Sequence, residues 1–358
     1  MTGLYVHIPF CRKKCFYCDF FSIESLAQTD RYLEALSAEL KNFQNEKIET
    51  VYIGGGTPSV LEIKQLDNLI NLIKTQFDIS VLKEWTIEAN PESLCKEKLN
   101  LFHTLCIDRL SLGLQSCDDK LLKALGRIHN FDSFCRAFFL AREIGFENIS
   151  IDLIYGIPNQ SLDDWTKDLN KILEFLPDHI SLYPLSVEEG TLFYKNSIKT
   201  DDNLQRLMYE RAREILLQNG YIHYEISNWS RQAKESMHNS NYWRNLEYIG
   251  AGAAAAGYLK GVRYKNCGDI EKYITEIKNT KSAVVEKEKI DAEIYNGEKI
   301  ILGLRLLKEG VGIENFKGEK EKILRKFLDM KVLVNENGSI KIERDFVFVA
   351  NSIAAEFV

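Results

Sequence analysis

Three cysteines spaced Cys-x3-Cys-x2-Cys, at Cys11, Cys15 and Cys18, constrain this chain more than any other feature. They follow Leu4-Tyr5-Val6-His7-Ile8-Pro9-Phe10, where alternating β-branched and aromatic residues stopped by a proline predict a short strand. The thiols therefore fall on the loop that leaves a strand. An intracellular chain has little use for them as disulfides, so the cluster points to metal. Zinc takes four ligands, often from C-x2-C pairs, and a [4Fe–4S] cube usually takes four cysteines. Three thiolates on a four-iron cube leave one iron open to an outside ligand, which suits chemistry rather than storage. A zinc knuckle completed from elsewhere, or three unrelated buried cysteines, are the alternatives.

The other five cysteines (Cys95, Cys106, Cys117, Cys135 and Cys267) lack ligand spacing and read mostly as small core residues. With 358 residues and 45% hydrophobic content, the chain can bury a sizeable core. That length suits two or three domains, or one large α/β unit with an appendage. A net charge of −6 gives no basis for a nucleic-acid partner or an anionic membrane surface. Nothing resembles a signal peptide, and no stretch reaches the roughly 18 apolar residues of a membrane span. A soluble, cytoplasmic protein is expected.

A βα rhythm follows the cysteine loop. Thr29 and Asp30 can cap a helix whose apolar positions Tyr32, Leu33, Leu36, Leu40 and Phe43 keep one face. Strands are expected at 50–53, 85–88, 109–112, 150–154 and 179–183. The helices after them are expected at 63–77, 95–105, 121–125 with 131–144, 162–176 and 204–219. Alternating strands and helices make a parallel sheet with right-handed crossovers. Six strands, counting the one through Val6, are short of a closed eight-fold barrel. The predicted fold is α/β, a partial (β/α)6 barrel over residues 1–225 with its chemistry at the C-terminal strand ends. A doubly wound open sheet is the alternative.

Residues 222–268 are rich in Tyr, Asn, Trp and Gly and lose helical periodicity, so 226–285 reads as a connecting segment. Helices resume at 269–278 and 292–307. The end reads as a helix over 320–330, then a hairpin turned at Asn337-Gly338. Residues 286–358 are thus expected to form a mainly helical, winged-helix-like C-terminal domain. Its even mixture of Lys and Glu favours packing on protein over DNA.

Polar residues gather where the predicted strands end. Gly54-Gly55-Gly56-Thr57-Pro58 lets backbone approach a ligand and offers peptide groups to it. It matches neither the dinucleotide fingerprint nor a phosphate loop, and a plain βα turn is the bland alternative. Glu88 in Glu-Ala-Asn-Pro, Gln115 in Gly-Leu-Gln-Ser, and Asp152 in Ile-Asp-Leu-Ile-Tyr-Gly-Ile-Pro also end strands. Carboxylates and amides around one mouth suit a ligand with ribose hydroxyls and an amino-acid tail. Each alone also suits a helix cap.

The cysteine spacing resembles that of the radical S-adenosylmethionine (radical SAM) superfamily, in which the open iron chelates the amino and carboxylate groups of S-adenosylmethionine. Tyr-Val-His-Ile-Pro-Phe-Cys, Gly-Gly-Gly-Thr-Pro, Glu-Ala-Asn-Pro, Arg-Leu-Ser-Leu-Gly-Leu-Gln-Ser, Leu-Gly-Arg and Asp-Leu-Ile-Tyr-Gly-Ile-Pro-Asn-Gln-Ser follow in order. Together they resemble the oxygen-independent coproporphyrinogen III oxidase family, and within it the heme chaperone HemW branch, over nearly the whole chain. The resemblance implies Cys11, Cys15 and Cys18 as [4Fe–4S] ligands. It implies Tyr5, Tyr17, Gly55, Gly56, Thr57, Glu88, Gln115, Arg127, Asp152 and Ser186 around S-adenosylmethionine. An aromatic beside the cluster suits adenine, carboxylates suit ribose hydroxyls and an amino group, and Arg127 suits a carboxylate.

Two features separate the branches. The oxidase pattern carries a further cysteine two residues after the third, where this chain has Phe20. His238-Asn239-Ser240-Asn241-Tyr242-Trp243 matches the His-Asn-x-x-Tyr-Trp motif of the chaperone branch, which implies His238 as a heme contact. A histidine packed into a domain seam is the alternative. Relatives commonly carry Gly-Ala-His where this chain reads Gly252-Ala253-Ala254-Ala255-Ala256-Gly257, so Ala256 stands at the expected histidine.

The implied function is a heme chaperone that carries a cluster, S-adenosylmethionine and heme. It would pass heme to an acceptor such as a membrane respiratory enzyme, with a cluster-dependent homodimer open to it. The rival is an anaerobic coproporphyrinogen III oxidase, which cleaves S-adenosylmethionine to a 5′-deoxyadenosyl radical and decarboxylates propionate side chains. A radical SAM enzyme acting on an unrelated substrate is the third reading.

Overall fold

The computed structural model describes residues 2–357. Six parallel strands form its frame: β1 (Gly3–Ile8), β2 (Thr50–Gly55), β3 (Glu84–Ala89), β4 (Arg109–Gln115), β5 (Ile149–Tyr155) and β6 (His179–Pro184). They lie side by side in chain order, each paired with the next. A doubly wound sheet reverses its strand order at a switch point. This one does not, so the frame is the expected partial barrel.

Both faces of these strands are covered, as parallel sheets require. On β1, Leu4, Val6 and Ile8 are fully buried on one side, while Tyr5 and His7 point to the other. The helices are set by local chemistry. Ile63–Gln76 starts at a capping box between Glu62 and Gln65 and buries Leu66, Leu69, Ile70 and Ile73, a 3-and-4 spacing that makes one apolar stripe. Phe131–Ile144 has a capping box at Asn130 and Ser133, and stops at Gly145, whose φ of 111° is left-handed.

The stretch without helical periodicity is mostly strand. β7 (Ile222–Glu225) and β8 (Asn228–Ser230) pair antiparallel at the β6 edge. The chain then crosses the N-terminal ends of the barrel strands as the short helix Met237–Trp243. Glu84, at the start of β3, accepts from Met237 N at 2.7 Å and His238 N at 2.9 Å, anchoring the first turn of that helix. β9 (Tyr248–Ala251) next joins β1 in parallel, on the opposite edge from β8. β10 (Ala256–Leu259), β11 (Val262–Asn266) and β12 (Val284–Lys289) extend that edge antiparallel. The result is one twelve-stranded sheet whose outermost strands are β12 and β7; it is not closed into a full barrel.

The C-terminal end carries the helices Ala292–Gly303 and Glu319–Asp329 and a three-stranded sheet of Val311–Gly312, Ser339–Ile342 and Leu333–Glu336. Its hairpin turns at Asn337 and Gly338, both with positive φ, as an Asn-Gly turn demands. Among the described residues no helix is long and apolar enough to cross a membrane.

Candidate functional site

A cavity of about 480 Å³ opens at the C-terminal ends of β2 to β6, roofed by the cysteine loop. Strand register builds it. Glu88 lies opposite Ser111, and Asp152 lies between Gly113 and Ser181. Cys11 is buried, and Cys15 and Cys18 are half-buried.

A continuous path of hydrogen bonds links two of the thiols. The Thr57 hydroxyl donates to Cys11 Sγ at 3.5 Å. Asn90 Nδ2 donates to Thr57 Oγ1 at 3.0 Å. Arg127 Nη2 donates to Asn90 Oδ1 and to the Gly113 carbonyl, both at 2.6 Å, and its Nη1 donates to Cys15 Sγ at 3.5 Å. Burial opposes the Arg127 charge, but Tyr17, Cys15 and Glu92 hold its pKa above the ordinary value. Burial also pushes the Cys11 and Cys18 thiols up, Cys18 to about 11, and the neighbouring sulfurs add to the shift. Thiolates here need positive charge.

These residues fit an iron–sulfur cluster. Gly56 is pressed against the loop, since a Cβ there would lie 2.8 Å from the Phe10 carbonyl oxygen and 3.0 Å from Cys11 Sγ. Among the described residues, no group of three or more His, Cys, Asp or Glu side chains is arranged to hold a single metal ion. A cube places a different demand on the loop, because each thiolate meets a different iron.

The carboxylates sit below. Glu88 accepts from the Tyr52 hydroxyl at 2.6 Å and from Gly55 N at 3.1 Å. Burial raises its pKa to about 7, with the Asp152 charge adding to the rise. Asp152 accepts from Ser111 Oγ at 2.9 Å and Ser150 Oγ at 3.1 Å, yet burial still raises it. Gly55 has a φ of 113°, and a Cβ on it would sit 2.6 Å from the His7 ring.

Gln115 ends β4 with a φ of 75°, where the register with β5 slips. A non-glycine residue in that region costs roughly 1–3 kcal/mol, held by its surroundings. The loop just after it is clamped by buried Asp168, which accepts from Ser116 Oγ at 2.7 Å and Cys117 N at 3.0 Å.

The structure brings Cys11, Cys15, Cys18, Tyr17, Gly55, Gly56, Thr57, Glu88, Gln115, Arg127, Asp152 and Ser186 to one cavity. It places Tyr5 and His238 elsewhere. Tyr5 lies mid-strand, three residues (roughly 10 Å) short of the end of β1, with its hydroxyl on His7 Nδ1 at 2.9 Å. His238 is 1% exposed and lies beside Thr50, at the start of β2, about 17 Å of strand away from the mouth. One ring nitrogen pairs with Thr50 Oγ1 at 2.9 Å and the other with the Tyr242 hydroxyl at 2.8 Å. The ring stacks on Tyr52 at 5.3 Å, and burial next to Arg109 lowers its pKa to about 3. It is a packed, neutral histidine in the seam between sheet and helix.

Three residues of the site escape sequence reasoning. Asn90 joins the two thiol-bound groups, and its signal is its place in Glu-Ala-Asn-Pro. Asp168 interrupts the buried stripe of Trp165, Leu169 and Ile172, and an acid on an apolar helix face is itself a signal. Arg109 lines the floor, fully buried, with Nε and Nη1 unpartnered. Burial opposes its charge while Glu84, Tyr52, Tyr224 and Asp152 sustain it. Nothing in its sequence context marks it.

Residues 5–172 match the radical SAM superfamily. The heme chaperone HemW of Lactococcus lactis is 37% identical across all of this chain and 97% of its own length. HemW of Bacillus subtilis is 38% identical over 85% of this chain and 83% of that one. HemW of Escherichia coli is 35% identical over 71% and 69%. The solved coproporphyrinogen III oxidase HemN of Escherichia coli, a radical SAM enzyme, superimposes with a TM-score of 0.87 over 99% of this chain and 89% of that one. At 21% identity, that likeness speaks for the fold alone. The chain belongs to the radical SAM superfamily, and within it to the heme chaperone HemW family.

Proposed function

We propose that this protein is a heme chaperone built on a cofactor-carrying barrel. Cys11, Cys15 and Cys18 hold a [4Fe–4S] cluster, and S-adenosylmethionine lies across Gly55, Gly56, Glu88, Gln115 and Asp152. Heme is bound and passed to an acceptor such as a membrane respiratory protein. Residues 1–225 serve as the cofactor core, 226–285 as the segment carrying the His238 motif, and 286–358 as the winged, mainly helical end. A cytoplasmic location and a cluster-dependent homodimer belong to the same proposal. Full-length likeness to relatives named heme chaperones carries the reading.

When bound, the cluster supplies an open iron for the amino and carboxylate groups of S-adenosylmethionine. The chain's own residues do the rest. Arg127 donates to the Cys15 sulfur and brings positive charge to the loop, and the Thr57 hydroxyl donates to the Cys11 sulfur. Glu88 and Asp152, once ionised, accept from ribose hydroxyls or an ammonium group. Gly56, without a side chain, lets the backbone lie against the loop and its ligand.

Phe20, 65% exposed at the edge of the loop, stands where the oxidase pattern has a further cysteine, which favours a chaperone over that enzyme. The test is an anaerobic heme titration of cluster-reconstituted protein, followed by an assay with coproporphyrinogen III. Saturable heme binding without turnover is expected. Decarboxylation of coproporphyrinogen would replace the chaperone with an oxidase.

A further inference from the structure

The mouth cavity runs deeper than its carboxylates. Alternate residues of β4 face it, so Arg109, Ser111, Gly113 and Gln115 form one inward column. Arg109 begins the strand and Gln115 ends it, roughly 20 Å of strand apart. Ser111 and Ser181, on the wall between, are small.

At the foot of this column the Arg109 side chain is 1% exposed, and nearby carboxylates sustain its charge. Its Nε and Nη1 have no hydrogen-bond partner among the described residues. The groups around it are engaged elsewhere. Glu84 accepts from the backbone N–H groups of Met237 and His238, and Asp152 from the hydroxyls of Ser111 and Ser150. The Tyr52 hydroxyl donates to Glu88. Asn239, on the helix that crosses beneath the barrel, lines the same cavity, and its side-chain amide bonds to no described residue.

We propose that this floor binds a second ligand, a small organic monocarboxylate, gripped by the Arg109 guanidinium and the Asn239 amide. The inference rests on the proposed placing of S-adenosylmethionine only for what lies above it. Buried charges are held in pairs, and a guanidinium fork matches the two oxygens of a carboxylate. S-adenosylmethionine brings a carboxylate of its own, but the open iron at the roof claims it, at the far end of the column. The walls narrow the class further. Glu88 and Asp152 stand higher in the cavity, so a single negative head with hydroxyl or ammonium groups behind it fits better than a polyanion.

The test uses [1-13C]acetate as the probe, titrated at fixed pH into cluster-loaded full chain while its carboxyl line is followed by NMR. S-adenosylmethionine affinity is measured in parallel by calorimetry. Saturable broadening is expected, reversed by unlabelled acetate and not by inorganic phosphate at equal ionic strength. Arg109→Gln should weaken acetate by at least roughly tenfold, the scale of a lost charge-assisted pair. Asn239→Asp supplies the floor with a carboxylate of its own and should exclude acetate to the same degree. Both variants should keep S-adenosylmethionine affinity and so report an intact barrel. If Arg109→Gln fails to fold, Asn239→Asp decides alone. No saturable broadening by the wild type, equal displacement by phosphate, or wild-type acetate affinity in Asn239→Asp would each overturn the carboxylate site. Loss of S-adenosylmethionine binding in the wild type would instead strike the nucleoside placing proposed above, and the acetate result would still decide the floor.

Discussion

The guanidinium of Arg127 reaches the Cys15 sulfur at 3.5 Å while its other nitrogen grips both Asn90 and the Gly113 carbonyl at 2.6 Å. One buried cation thus ties the cysteine loop to the ends of β3 and β4. The thiols are otherwise in surroundings that disfavour ionisation, because burial raises Cys11 and Cys18. Arg127 supplies the positive charge that a thiolate set needs.

Replacing Arg127 with Lys keeps the charge and loses the fork, since one ammonium cannot serve Cys15, Asn90 and Gly113 together. Iron and sulfide content after anaerobic reconstitution is expected to fall, and S-adenosylmethionine affinity to drop roughly tenfold or more, the scale of one charge-assisted hydrogen bond. Cys15→Ala should abolish the cluster outright. Full iron and sulfide in Arg127→Lys would mean that the guanidinium only braces the strands.

Glu88 predicts a pH dependence. Its folded pKa, raised by burial to about 7, lies above the unfolded value near 4.5, so the folded state binds the extra proton between them. Its contribution to stability is full below about pH 4.5 and is lost as pH rises through 7, on the order of 3 kcal/mol in all. Asp168, raised to about 6, and Glu225, raised to about 7, act in the same direction. Urea denaturation of wild type and Glu88→Gln at pH 5 and pH 8 isolates the share of Glu88. The variant should lose less stability between the two, and equal losses would place the titration elsewhere. S-adenosylmethionine affinity should rise across the same window, as the carboxylate becomes an acceptor.

Asp168 does not line the cysteine-roofed cavity, yet it secures the turn after strained Gln115. Asp168→Ala strands the Ser116 hydroxyl and the Cys117 N–H, both buried, at a cost of about 1–3 kcal/mol each. Released from the clamp, Gln115 should relax and S-adenosylmethionine affinity should fall. Asp168→Asn, which keeps one acceptor, should recover part of both. A variant that loses stability but binds S-adenosylmethionine normally would separate the clamp from the site.

Much of the barrel and mouth was legible because both follow from local patterns. Apolar runs ended by Gly, Pro or polar residues mark the strands, and residues at their C-terminal ends converge whenever parallel strands align. Gln115 and Asp152 could be placed without knowing any contact. The segment from Ile222 to Asn266 was not legible as sheet, because its strands are only three to five residues long and too short for a period to emerge. How far Tyr5 and His238 lie from the mouth was not legible for a different reason: a motif names residues without saying how far along a strand, or on which side of a helix, each falls. Gly55 carries a related lesson. Its run suggested close approach of a ligand, but a side chain there would first strike His7, so a larger residue tests folding and binding together.

His238 gives the sharpest test of what the motif does. Removing its side chain in His238→Ala empties a fully packed site under Tyr52 and leaves the Thr50 and Tyr242 hydroxyls without their partner. A loss of about 2–4 kcal/mol is expected, the scale of a buried large-to-small change with stranded polar groups. An iron ligand behaves otherwise. Its removal changes the heme spectrum, and leaves the stability of the heme-free protein nearly intact. Denaturation of the heme-free variant and the ferric heme spectrum of the complex therefore decide the matter together. Lost stability with a wild-type spectral form assigns His238 to packing in the seam between sheet and helix. Intact stability with an altered spectrum would return His238 to the iron, and would require the helix to turn its histidine outward when heme arrives.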